Sequence, residues 1–113
     1  MPESQKIDDS FAPLRKGLME FAVLSVISRN EVYAADILDS LAQTPFATSE
    51  GTLYPLLSRL KRDEYVVYSW AESENGPPRK YYQLTTVGRE RLRELHRYWQ
   101  DLYKTLESLG GKQ

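Results

Sequence analysis

One segment breaks an otherwise helical pattern and so limits the folds open to this chain: "YVVYSWAESENGPPRKYYQLT", residues 65 to 85. β-Branched and aromatic residues fill 65 to 70 and return at 81 to 84, with polar and turn residues between, which is the pattern of a β-hairpin. Asn75-Gly76 is placed to supply the positive φ angles of a tight turn, and Pro77-Pro78 to stiffen the returning arm. Elsewhere the apolar spacing is helical. Phe11, Leu14, Leu18, Phe21, Ala22 and Ser25 recur at three- and four-residue steps and predict a helix over about 13–28. Ala34, Ile37, Leu38 and Leu41 form the buried face of a shorter one over about 33–41. Thr48 and Ser49 are suitable N-caps for a third, which carries Leu53, Leu56, Leu57 and Leu60 to about Asp63. From Thr85 or Thr86 the pattern is helical again to about Leu109, where Gly110-Gly111 stops it. The order α-α-α-β-β-α predicts a mainly α winged helix, a helix-turn-helix with a hairpin attached.

At 113 residues the chain accommodates one small domain with a modest core. The absence of cysteine excludes disulfides and thiolate chemistry and suits a reducing cytoplasm. The start "MPESQKIDDS" has no apolar core for a signal peptide, and no run approaches the roughly 18 apolar residues that span a bilayer. A soluble, cytoplasmic protein is expected. The net charge of −1 argues against indiscriminate polyanion binding, yet it averages an acidic start with basic patches further on.

The third helix carries two residues that helices resist, Gly51 and Pro55. An interior proline costs about 3 kcal/mol and a glycine about 1 kcal/mol against alanine. At about 100° per residue the four leucines share one side, while Gly51, Pro55, Ser58 and Arg62 lie opposite. Both breakers then face outward, where water or a ligand can replace the hydrogen bond that Pro55 removes. Gly51 also clears space for a phosphate backbone. With Thr52, Tyr54 and Arg59 beside them, and Ser49 at the cap, these residues make a small, polar, locally basic surface suited to a major groove. Arg79 and Lys80 on the returning arm are placed to clamp phosphates of the adjacent groove. The bland alternative is a merely solvated helix face.

Leu92, Leu95, Trp99, Leu102, Leu106 and Leu109 are spaced 3, 4, 3, 4 and 3, a heptad seam. A helix of ~24 residues is ~36 Å long, more than the small core can cover. A two-fold dimer is expected, with Phe11, Leu14, Leu18, Leu95, Trp99, Leu102 and Leu106 at its interface. The chain thus divides into a flexible start over 1–10, a winged-helix domain over 11–85 and a dimerisation helix over 86–109. His96 has no second histidine, cysteine or paired carboxylates at useful spacing, so no metal is expected. Serine, histidine and aspartate are unorganised and no glycine-rich loop follows a strand, so neither enzyme nor cofactor is expected.

The stretches "LRKGLMEFAVLSVIS", "GTLYPLLSRLKRDEY" and "SENGPPRKYYQLT" resemble the first helix, recognition helix and wing of the PadR-like transcriptional regulators, over about residues 14 to 103. The resemblance implies a homodimeric winged-helix repressor of double-stranded DNA, often controlled by a small phenolic, aromatic or drug-like effector. It places Tyr33, Thr52, Tyr54 and Lys80 at positions that touch DNA, and the single terminal helix is similar to the family's compact branch. Ala34 departs from the glycine that members often carry there. In that branch a tryptophan at the position of Trp99 looks like the wall of a flat aromatic pocket, flanked by His96 and Tyr103 and closed by Lys16, Met19 and Glu20; Trp99 as plain core is the alternative. A winged-helix protein-interaction module without DNA binding is the competing function.

Overall fold

The structure is a computed structural model and describes residues 10–111. The expected flexible start lies outside the described residues but for Ser10. Helices α1 (Ala12–Ile27), α2 (Ala34–Leu41), α3 (Glu50–Arg62) and α4 (Thr86–Leu109) surround an antiparallel sheet of β1 (Val32–Tyr33), β2 (Val66–Ser73) and β3 (Gly76–Leu84), in the order β1-β3-β2. This is the winged helix that the alternation of patterns implies.

The core gathers one stripe from each element: Val23, Leu24 and Ile27 from α1; Ala34, Ile37 and Leu41 from α2; Leu53, Leu57 and Leu60 from α3; Val66, Tyr82 and Leu84 from the sheet. Each fully buried leucine or isoleucine there contributes about 1.5–3 kcal/mol by leaving water. Helix α1 differs from expectation in which side it buries. Phe11 and Leu14, which head the stripe read from the sequence, are more than half exposed, and the second half of the helix turns its other apolar stripe inward.

Strand β1 has no counterpart in the sequence reading. Its two residues pair Val32 with Tyr82 and Tyr33 with Tyr81, and Tyr33 then serves as N-cap residue of α2, its amide donating to Asp36 Oδ2 at 3.0 Å. The wing turn also differs. Among the described residues φ is positive at Glu64 and Gly111 and not at Asn75 or Gly76. Glu74 and Asn75 form the connection, and the register slips between Ala71 and Ser73. A bulge of this kind adds strand twist, so the hairpin closes without the primed turn that Asn-Gly suggested.

Two contacts fix α4 to the end of α3. Glu64, at φ 67°, carries the chain out of α3 while the amides of Asp63, Glu64 and Tyr65 donate to the carbonyls of Arg59, Lys61 and Leu60. Thr85 caps α4: its Oγ1 accepts from the Gly88 amide at 2.8 Å and donates to the Glu64 carbonyl at 2.6 Å. Gly88 is the residue of α4 that is fully buried.

Candidate nucleic-acid interface

Helix α3 presents the surface its sequence pattern implies. Gly51, Thr52, Tyr54, Pro55, Ser58 and Arg62 are exposed while Leu53, Leu57 and Leu60 are buried, and the helix runs unbroken through Pro55. Ser49 is the N-cap residue, but its backbone carbonyl, accepting from Thr52 and Leu53, makes the connection in place of the side chain.

The wing stands beside this face. Tyr33, Tyr54, Arg79 and Lys80 meet in a cleft of ≈ 420 Å³ completed by Ala34, Ala35, Trp70, Pro78 and Tyr82. Next to it, Ser58, Lys61, Arg62, Tyr68 and Lys80 line a second, smaller hollow. Lys61, Arg62, Arg79 and Lys80 form no ion pair among the described residues, so four positive charges on this side are left to an outside anion. Backbone and small side chains at Gly51 and Ser58 permit close approach, and Tyr54 and Thr52 offer hydroxyls that can donate to or accept from base edges.

Arg59 is placed differently from its neighbours. Its guanidinium lies 3.4 Å from Glu20 Oε1 on α1 and 3.4 Å from Asp63 Oδ2, on the flank of α3 away from the wing. The other Glu20 oxygen accepts from Arg91 Nε of α4 at 2.9 Å, and this hydrogen bond is the main reason that the Arg91 pKa is raised. Glu20 therefore joins three helices.

A groove of ≈ 730 Å³ runs between α1 and α4, walled by Leu14, Leu18, Phe21, Leu95, Trp99 and Leu102 among others. Of the residues expected around Trp99, none is in its walls within one chain: His96 and Tyr103 line other hollows, and Lys16, Met19 and Glu20 are also outside it. Spaced from Leu14, Leu18 and Phe21 by helix geometry, they fall on the opposite side of α1, where Met19 packs on the core and Glu20 meets the arginines. His96 and Phe21 meet edge to face with ring centres 4.9 Å apart, and Tyr103 tilts against Trp99 with centres 6.4 Å apart. Among the described residues no group of three or more potential metal ligands occurs, and no helix is long and apolar enough to cross a membrane.

The residues that sequence reasoning missed here are Lys61, Tyr68 and Trp70. Their signal is the period of two on the wing, which puts Tyr68 and Trp70 on one face and, across the ladder, Tyr82 and Lys80 beside them.

Comparison with known proteins agrees with this geometry. Residues 23–94 match the "Transcriptional regulator PadR-like family". A transcriptional regulator of Mycobacterium tuberculosis is 33% identical over 98 residues, covering 87% of this chain and 89% of its own. A PadR-like transcription factor of Bacteroides fragilis superposes with a TM-score of 0.77 at 40% identity, over 89% of this chain and 98% of its own. For a PadR family regulator of Eggerthella lenta the TM-score is 0.84 at 29% identity, over 100% and 99%. With the family pattern spanning most of the winged helix, and with an exposed recognition helix flanked by unpaired cations, the chain belongs to the PadR-like family and is a DNA-binding transcriptional regulator, not an enzyme.

Proposed function

We propose that the chain works in the cytoplasm as a homodimeric repressor, its paired α4 helices holding two recognition surfaces against a palindromic operator, and that a planar aromatic effector releases it. The observation that carries the dimer is the exposure of the seam: Leu92 and Leu95 pack on the core, while Leu102, Leu106 and Leu109 continue the same stripe at 40%, 65% and 77% exposure. A solvated helix has no use for leucines in heptad register; a second copy of α4 does. Phe11, Leu14 and Leu18 extend the same apolar side onto α1.

Within that dimer Thr52, Tyr54, Pro55 and Ser58 read the major groove, Gly51 and Ser49 admit the backbone, and Arg62, Arg79, Lys80 and Tyr33 hold phosphates. Arg59 reaches DNA only by leaving Glu20. Trp99, with Tyr103 and His96 near it, supplies a stacking wall for the effector. Lys16, which is exposed, can reach the site from a second copy, whereas Met19, packed on the core, and Glu20, held by Arg59 and Arg91, can close it only after α1 turns. A ligand that binds the DNA-incompetent spacing of the recognition helices more tightly lowers operator affinity by that difference.

The test is a gel shift with DNA from upstream of the protein's own gene. Tyr54→Ala is expected to weaken binding by about 1–3 kcal/mol, and Lys80→Ala to weaken specific and non-specific binding alike while lowering the salt slope by about one. Planar aromatic compounds added to the complex should free the DNA and change Trp99 emission. Unchanged affinity in both variants, with normal folding, rejects the assigned surface; release without a Trp99 response rejects the effector site alone.

A further inference from the structure

Each of the two wing cations lies on an aromatic platform. Lys80 Nζ stands 4.4 Å from the Tyr68 ring centre and 5.4 Å from that of Trp70, its cross-strand partner. Arg79, next along β3 and so on the other face, has its guanidinium 5.0 Å from the Tyr33 ring, which is itself stacked on Tyr81 at 4.0 Å. Tyr68 and Trp70 meet edge to face at 6.1 Å, so the platform under Lys80 is a corner of two rings, and Lys61 Nζ lies 5.4 Å from the same Tyr68 ring.

Trp70 has no evident duty in the fold. It is 63% exposed, the core is complete without it, and a tryptophan held in water is costly to explain as packing. Its ring face does suit a cation. Lysine has a long, freely rotating stem, and docking its ammonium on a phosphate loses that freedom unless something has already restrained it. A ring face attracts the ammonium through its quadrupole without using up the ammonium's three hydrogen-bond donors, so a phosphate can still bind. Lys80 is also where the cleft beside Tyr54 and the hollow beside Ser58 and Arg62 adjoin, which makes its position consequential for both.

We propose that Trp70, with Tyr68, is a positioning residue for DNA binding: it holds the Lys80 ammonium at the mouth of the recognition cleft, pre-ordered for a backbone phosphate. This rests on the proposed DNA-contact surface. The gain is pre-organisation, because a group already in place loses less entropy when its ligand arrives.

The experiment measures affinity for the upstream duplex, by fluorescence anisotropy at several salt concentrations, for the unsubstituted protein and for Trp70→Leu, Trp70→Phe, Lys80→Ala and the Trp70→Leu/Lys80→Ala pair. Trp70→Leu keeps apolar bulk but loses the π face, and is expected to weaken binding about two- to five-fold. Trp70→Phe should retain most of the affinity. Neither should lower the salt slope, since the phosphate contact survives, whereas Lys80→Ala lowers it by about one. In the Lys80→Ala background Trp70→Leu should have no further effect. The proposal is overturned if the Trp70→Leu loss persists without Lys80, if phenylalanine is as damaging as leucine, or if Trp70→Leu binds normally. Melting curves guard against misfolding, and an exposed side chain predicts unchanged midpoints. Failure of the unsubstituted protein to bind any duplex would strike the underlying surface assignment instead.

Discussion

A Cβ at position 88 would collide with the Tyr65 carbonyl oxygen, and backbone offers no rotamer by which to retreat. Gly88→Ala therefore has to push α4 off the α3–β2 junction, loosening the Thr85 cap with it. Thermal unfolding should show a loss of about 1–3 kcal/mol, the usual range for overpacking, whereas a midpoint within a degree of the original would mean the junction yields freely. The neighbouring position has the opposite expectation. Glu64 sits at φ 67°, a region that costs an ordinary residue about 1–2 kcal/mol, so Glu64→Gly should raise stability by about 1 kcal/mol in the same measurement. Neither position announced itself in the sequence. A glycine inside a helical pattern marks close approach only when the approaching carbonyl is known, and glutamate is not a residue type that signals a left-handed turn.

Helix α3 was legible because its one-sided pattern has one cause: leucines face the core, and everything opposite faces solvent or ligand. Helix α1 was harder because it is apolar on two sides. The stripe headed by Phe11, Leu14 and Leu18 and the stripe of Val23, Leu24 and Ile27 both have helical spacing, and period alone does not say which meets the core and which meets another helix. Strand β1, at two residues, is too short for any periodicity, and the position of Arg59 on α3 says nothing of the Glu20 that stands across from it. That Glu20 contact belongs to no single helix. Its carboxylate is mostly enclosed while Arg59 and Arg91 keep about a third or more of their side-chain surface in water. Glu20→Gln leaves both arginines able to rehydrate, so the expected cost is modest, about 1 kcal/mol by denaturant melt, and a loss several times larger would show that the bridge holds the helix packing together.

At the scale of the whole molecule, the domain measures 55 × 38 × 20 Å, and the length comes from α4, whose later turns extend past the core. Substituting Leu102 and Leu106 by lysine puts like charges on both sides of any α4 pair and buries them, which costs several kcal/mol. Sedimentation should then find monomers or insoluble protein, with operator affinity falling alongside. A soluble dimer that survives the double substitution would place the interface elsewhere. The heptad made this helix readable as an element, but not its extent of cover, because nothing in a leucine's spacing states how far its own domain reaches. The exposed half of α4 has a further consequence for the cell. If paired chains grip the operator and single chains do not, occupancy of the promoter rises with the square of protein concentration wherever pairing is incomplete. The rate at which the gene is expressed then becomes a signal in its own right, and a regulator acting on its own promoter would settle its abundance near the point where its terminal helices find each other.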